Sequence, residues 1–201
     1  MRALLLMLLI GSGILATSHI VFSQNKKSEE PLKSGIVYGY DHTFAITAPD
    51  GWVLDNQAGV PDGLHAVFYP IGESWPNAST VMYTSVASKE KEHRSFEQII
   101  DDDVAGFREA SGNGIAREIG KEKTADGAPV RIWYFENSKQ GRIEQVAFIE
   151  ESKVVVMLSY SASSKKAYEK TSSALKDLLK SYRFLTDKVI IDKKPKDPTE
   201  K

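Results

Sequence analysis

The segment at residues 154–160 (VVVMLSY) decides the fold of this chain. It is the most apolar stretch beyond the first 23 residues. A short apolar run without alternation indicates a strand that is buried on both faces. Ser152 and Lys153 lead into it from the preceding β-rich segment, and a parallel crossover would need about a dozen residues. We therefore expect residues 154–160 to form a central strand with antiparallel neighbours.

An antiparallel meander leads into that segment. Residues 115–123 alternate imperfectly, residues 126–127 (DG) turn the chain, and residues 130–135 (VRIWYF) return. Residues 139–141 (KQG) make the next turn, into a strand at residues 144–150. Further β-rich segments nearer the N-terminus are 36–38, 43–47, 52–54, 66–69 and 80–86.

Two amphipathic helices separate and close these strands. Ser95 with Gln98 three residues later matches a capping box, and Gly112 supplies the left-handed geometry that ends a helix. The apolar side chains of this first helix recur at a helical period: Phe96, Ile99, Ile100, Val104 and Phe107. The second helix begins near Ser163 or Ser164. Its core-facing residues are Tyr168, Thr171, Leu175, Leu178, Leu179 and Tyr182. This order of elements predicts an α+β fold, an antiparallel sheet with helices packed on it.

The segment at residues 44–52 (FAITAPDGW) resembles the opening of the PsbP/Mog1-like superfamily of small α/β/α sandwich domains. In that group a strand of the form F-x-I is followed by P-x-G-W. The helix that starts at Ser95-Phe96, the meander through Trp133 and a closing helix that ends at residues 182–184 (YRF) are similar too. The resemblance covers roughly residues 35–185 and implies an α/β/α sandwich.

The resemblance also implies a class of function. Members of the superfamily are mostly binding or assembly proteins rather than enzymes, and they include lumenal photosystem assembly factors, a nuclear import factor and exported bacterial proteins. They share no catalytic residue set, and this chain shows no ligand set to match the manganese–calcium centre of the plant members. Pro49 and Gly51 end a strand and turn the chain, while Trp52 pins that turn to the core. These three residues therefore have structural roles.

The N-terminus has the pattern of an export signal. Arg2 precedes an apolar run at residues 3–15, and Val21 and Ser23 lie at the small-residue spacing of a cleavage site before Gln24. The alternative is an uncleaved anchor, because residues 3–22 number about 20, enough for a tilted membrane helix. We expect cleavage, since polar residues interrupt the second half of the run, and we expect the protein to be periplasmic or secreted.

Charge and proline content define the rest of the chain. Residues 24–34 (QNKKSEEPLKS) are charged and lack aromatics, which is typical of a flexible leader. Residues 187–201 are rich in Lys, Asp and Pro and form a charged tail. Between them, residues 35–186 are long enough for a single domain with its own core.

Composition excludes several classes of function. The chain has no Cys, which excludes disulfides, thiolate nucleophiles, zinc–thiolate sites and iron–sulfur clusters. It carries 26 Lys and Arg against 27 Asp and Glu, and no net positive field favours nucleic acid as a partner. We therefore expect the partner to be another envelope or extracellular protein, and a membrane only if the N-terminal segment is retained.

A stiff loop at residues 69–77 (YPIGESWPN) is the best candidate for a contact surface. It holds two prolines and an aromatic residue at each end, Tyr69 and Trp75. A rigid, exposed Trp is the kind of residue that anchors a partner. The competing interpretation is that Trp75 folds back over the sheet edge. His65, just before the adjacent strand, completes the predicted binding site.

No catalytic or metal site is predicted. His42, His65 and His93 lack a second His at the spacings typical of metal sites. The acidic run at residues 101–103 lies on a helix, where consecutive side chains point in different directions. We expect no cofactor. The sequence favours an exported, non-enzymatic binding or assembly protein. The alternatives are a small envelope hydrolase that uses His65 with an unidentified carboxylate, and a membrane-tethered accessory subunit.

Overall fold

A computed structural model of the chain describes residues 32–112, 114–137 and 139–189. The strands are β1 (Ser34–Gly39), β2 (His42–Thr47), β3 (Trp52–Asp55), β4 (Val67–Pro70), β5 (Thr80–Ser88), β6 (Ile115–Lys123), β7 (Pro129–Asn137), β8 (Arg142–Glu150), β9 (Val154–Ala162) and β10 (Arg183–Thr186). The helices are α1 (Lys89–Glu92), α2 (Phe96–Ser111), α3 (Lys165–Thr171) and α4 (Ala174–Ser181). A 3₁₀ turn spans Val60–Asp62.

The strands form two antiparallel sheets. The large sheet has the order β3-β4-β5-β9-β8-β7-β6, and the small sheet has the order β1-β2-β10. Strand β9 is the middle strand of the large sheet, and every residue from Val154 to Ala162 is buried. This confirms the prediction of a central strand. The apolar run lies where a strand needs apolar side chains on both faces.

Helices and the small sheet cover the two faces of the large sheet. On one face, the small sheet and α4 enclose a core that includes Phe44, Leu158 and Leu178. On the other face, α2 packs against β7, β8 and β9 through Ile100, whose side chain is fully buried. The layers confirm the predicted α+β sandwich, with one difference: part of one outer layer is a second sheet.

The C-terminal region differs from the prediction of one closing helix. The helical segment breaks between α3 and α4 at Ser172 and Ser173. Helix α4 ends at Ser181, because Tyr182 has extended dihedrals of φ −62° and ψ 134°. The predicted end of the closing helix at residues 182–184 was therefore wrong beyond Ser181. The following residues form β10, in which Phe184 pairs with Phe44 of β2.

The local signals for α2 are confirmed. Ser95 Oγ accepts a hydrogen bond from Gln98 N at 3.2 Å, and Ser95 N donates to Gln98 Oε1 at 2.8 Å. The helix ends at Gly112, whose φ of 56° lies in the left-handed region that favours glycine. Ser164 is the N-cap of α3, as one of the two predicted positions, and accepts from Ala167 N at 3.2 Å.

The predicted signal peptide at residues 1–23 and most of the leader at residues 24–34 lie outside the described residues. The three described residues of the leader are nevertheless paired, since Lys33 O accepts from Ala48 N at 2.7 Å. Leu32 O accepts a hydrogen bond from Leu54 N at 3.0 Å, and Ser34 begins β1. Regular structure therefore begins before residue 35. Among the described helices, none is long and apolar enough to cross a membrane.

Candidate functional site

The loop that holds Trp75 lies over one half of the large sheet. Helix α2 packs over β6 to β9 and reaches β5 only at Ala87, which leaves β3, β4 and the rest of β5 on the same face to other segments. Strand pairing places Tyr69 of β4 and Tyr83 of β5 on this face, because Val67 pairs with Tyr83 and side chains alternate along a strand. The segment at residues 71–79, here called the Trp75 loop, follows β4 directly.

The Trp75 side chain packs against neighbouring residues of the fold and is half-buried. Its indole Nε1 donates a hydrogen bond to Asp62 Oδ2 at 3.0 Å. Its ring meets the Tyr83 ring edge to face, with centroids 6.2 Å apart and an interplanar angle of 86°. Glu73 Oε2 accepts a hydrogen bond from Ser79 N at 3.1 Å and closes the loop on itself. The geometry corresponds to the interpretation in which Trp75 covers the sheet.

Tyr69 is held by a carboxylate on the neighbouring strand. Its hydroxyl donates to Asp55 Oδ2 at 2.7 Å. The other oxygen of Asp55 accepts from the backbone N–H groups of Gln57 at 2.7 Å and Ala58 at 2.9 Å. Burial and the adjacent Asp55 carboxylate together raise the pKa of Tyr69 to about 12. For Asp55, burial acts to raise the pKa, but the hydrogen bonds from Ala58, Tyr69 and Gln57 outweigh it and leave the pKa lowered.

His65 is exposed, just before β4. Within the part of the chain that the structure describes, no hydrogen bond joins His65 to a carboxylate. The acid partner that the hydrolase alternative needs is therefore not identified. Of the three residues predicted to bind a partner, the fold brings Tyr69 and Trp75 to one face of the sheet, each with its polar group bonded to an aspartate.

The other histidines and acids singled out by sequence lie apart from this loop. His42 Nδ1 is 2.9 Å from Tyr40 O, and its ring stacks on Phe44. His93 is exposed. Asp102 forms an ion pair with Arg94 at 2.7 Å. Among the residues that the structure describes, no three His, Asp or Glu side chains are grouped to hold a metal ion.

A shallow polar cleft lies between the P-x-G-W turn and the break between α3 and α4. It encloses about 390 Å³ and is lined by Asp50, Trp52, Lys170 and several hydroxyls. One of its hydroxyls is engaged in the fold: Ser181 Oγ accepts from Thr47 N at 3.0 Å and donates to Leu178 O at 2.7 Å. These hydrogen bonds link β2 of the small sheet to α4 beside the cleft.

The largest feature that sequence reasoning missed is an apolar surface on the small sheet. We call it the outer face and define it by Ile36, Tyr38, Tyr40 and Leu185. These side chains are 63%, 70%, 80% and 50% exposed. Ile36 and Tyr38 alternate along β1, Tyr40 lies in the β1–β2 turn, and Leu185 belongs to β10. Large apolar side chains grouped in this way mark interaction sites more often than scattered ones do.

A sequence signal for the outer face was present. Residues 36–38 (IVY) put apolar side chains on both sides of one strand, although only one side can face the core. Val37 points inward and packs on the core cluster, while its two neighbours point out. This pattern did not decide whether the second side of β1 is exposed, because the segments that cover a strand can be distant in sequence. Here the second layer is completed by β10, from the far end of the chain.

Comparison with known proteins supports the fold. No protein-family model and no curated protein sequence matches the chain. The solution structure of cyanobacterial PsbP (CyanoP) from Synechocystis sp. PCC 6803 is similar, with a TM-score of 0.51 and 11% sequence identity. The match covers 82% of this chain and 99% of that one. The order of strands and helices, the two-sided core and this likeness agree that the chain has a PsbP-like fold.

Proposed function

We propose that this chain is an exported, non-enzymatic binding or assembly protein that docks onto another envelope or extracellular protein. The outer face is the observation that carries this proposal. A protein partner would cover the exposed side chains of Tyr38, Tyr40 and Leu185, and aromatic side chains are enriched at protein interfaces. The export part is supported by the signal-like pattern of residues 1–23.

The Trp75 loop is the second surface that could contact the partner. The hydrogen bond to Asp62 and the contact with Tyr83 fix the indole in one orientation. A fixed aromatic side chain loses little conformational entropy when a partner binds. We retain Trp75, Tyr69 and His65 as proposed contact residues.

The proposal is tested by affinity capture from the envelope fraction with the full chain as bait. The test variant combines Tyr40→Ser with Leu185→Ser, both on the outer face. The matched control combines Val60→Ser with Ile115→Ser, two apolar residues that are each 47% exposed elsewhere. We expect the control to keep the proteins bound by the natural chain and the test variant to lose them. Equal capture by both variants would exclude the outer face as the docking surface.

A parallel capture with Trp75→Ala asks whether the loop contributes, and circular dichroism confirms that each variant is folded. The N-terminus of the captured bait, read by mass spectrometry, tests export. We expect it to begin at Gln24. A chain recovered from the cytosol with Met1 still present would contradict export.

A further inference from the structure

We propose that β1 is an open sheet edge that pairs with β1 of a second copy of this chain, antiparallel and about a two-fold axis at Val37. The proposal is independent of the partner protein suggested above. It rests on the composition of the edge strands, on the direction of the β1 backbone groups and on the residues that the pairing would bring together.

The edge strands of the two sheets differ in how well they are protected against pairing with another chain. An exposed edge strand invites pairing with another chain, and proteins protect such edges with charged residues, short strands or covering segments. Strand β6 is nine residues long and carries charges at Arg117, Glu118, Lys121, Glu122 and Lys123. Strands β3 and β10 have four residues each, and each contains a charged residue. The sequence from residue 34 to residue 40 (SGIVYGY) has no charged residue and no proline.

The hydrogen bonds around β1 show which backbone groups face the open side. Lys33 O accepts from Ala48 N at 2.7 Å, so residue 33 bonds toward β2. Backbone groups alternate in direction along an antiparallel pair. Gly35, Val37 and Gly39 therefore also bond toward β2, in the register that pairs Val37 with Phe44.

The even-numbered residues of β1 point the other way. Leu32 O accepts from Leu54 N of β3, on the side away from β2. By the same alternation, the N–H and C=O groups of Ser34, Ile36 and Tyr38 point to that open side. Within the described residues, pairing on this side consists of the isolated bridge between Leu32, which precedes β1, and Leu54. Beyond it, the side chains of Ile36 and Tyr38 are largely exposed.

A second copy of β1 complements this edge. With the two-fold axis at Val37, Ile36 lies opposite Tyr38 of the other copy, and Tyr38 lies opposite Ile36. Each pair exchanges two backbone hydrogen bonds, and all four use groups that point to the open side. The same register places an aromatic side chain beside a β-branched one on the outer face, a favourable cross-strand pair. An isologous contact of this kind closes as a dimer.

Crosslinking tests the register, because the natural chain has no Cys. In the proposed dimer, Val37 faces Val37 of the other copy as a non-hydrogen-bonded pair with Cα atoms about 4.5 Å apart, within disulfide range. Ser34 lies in the same strand, but its copy is about 20 Å away, six residues at about 3.3 Å each. We expect the Val37→Cys chain to form a covalent dimer under mild oxidation and the Ser34→Cys chain to form no crosslink. If Ser34→Cys forms as much covalent dimer as Val37→Cys, or more, the proposal is overturned.

Sedimentation of the full natural chain over a range of concentrations tests whether the dimer forms without a crosslink. We expect a shift from one to two chain masses as concentration rises. Ile36→Pro removes an N–H that points to the open side, so the monomer keeps its bonds to β2 while the dimer loses two of its four bonds, one donated by each copy. Tyr38→Lys places a charge on the same edge. Val60→Lys is the control for an added charge at an exposed apolar position.

We expect both edge variants to stay monomeric at concentrations where the natural chain and the control form dimers. Thermal unfolding shows whether each variant is folded. If Ile36→Pro does not fold, Tyr38→Lys decides the result. A natural chain that stays monomeric throughout, or folded edge variants that still form dimers, would overturn the proposal. The capture experiment leaves β1 unaltered, so its failure and the failure of this proposal can be told apart.

Discussion

Trp75 is positioned by two contacts of different kinds, one polar and one aromatic. Its indole N–H donates to Asp62, and its ring meets Tyr83 edge to face. Trp75→Phe keeps a ring and loses the hydrogen bond, so we expect the free energy of unfolding to fall by about 1 kcal/mol. Trp75→Ala loses both contacts and should lower it by about 2 kcal/mol. Urea denaturation measures both changes. A loss below about 0.5 kcal/mol for Trp75→Ala would mean that the side chain contributes little to folding.

The Tyr69–Asp55 pair predicts an alkaline limit to stability. Burial and Asp55 raise the pKa of Tyr69 to about 12, above the value of about 10 for an unfolded chain. The protonated hydroxyl therefore stabilises the fold fully below about pH 10, and this contribution is lost between about pH 10 and pH 12.

Tyr69→Phe has no hydroxyl to titrate, so its stability should fall less steeply over that range. Denaturant unfolding at several pH values compares the two chains, with Tyr40→Phe as a control because Tyr40 is 80% exposed. Parallel pH curves for the natural chain and Tyr69→Phe would contradict the assignment.

At the scale of elements, the N-caps of α2 and α4 can be compared directly, because both are serines. Ser95 makes both bonds of a capping box at the start of α2. Ser173, at the N-cap of α4, has helical dihedrals and makes no side-chain cap hydrogen bond. We expect Ser95→Ala to lower the free energy of unfolding by about 1 kcal/mol and Ser173→Ala to change it by only a few tenths. Thermal or urea unfolding measures the difference. Equal losses would show that the capping bonds do not determine the stability of α2.

Elements with strong local signals could be predicted from sequence, and elements decided by distant partners could not. The capping box of α2, its glycine end and the bounds of β6 follow from residues close in sequence. Strand β10 does not, because the helical pattern runs up to Tyr182 and the strand forms only where Phe184 meets Phe44. The contacts of Trp75 are also non-local: Asp62 and Tyr83 lie on either side of it in sequence, and nothing in the loop itself indicates that both converge on the indole.

At the scale of the whole molecule, the two sheets differ in how they are enclosed. The large sheet is covered on both faces over its central strands, and β9 is buried throughout. The small sheet has one face in the core and the other exposed, and its strand β1 is an uncharged edge. Pairing of two copies along β1 would place two outer faces side by side. A partner with two matching sites would then bind with higher avidity than a single face provides.

Hydrogen exchange offers a readout of this arrangement residue by residue. In dilute solution, the amides of Gly35, Val37 and Gly39 are bonded to β2 and should exchange slowly, while those of Ile36 and Tyr38 face the open side and should exchange fast. At concentrations that favour the dimer, the Ile36 and Tyr38 amides become bonded to the other copy, so their exchange should slow. Amides of β9 serve as the reference, because the central strand opens only with the whole fold. If a dimer forms while Ile36 and Tyr38 keep their fast exchange, the two copies must meet at a surface other than β1.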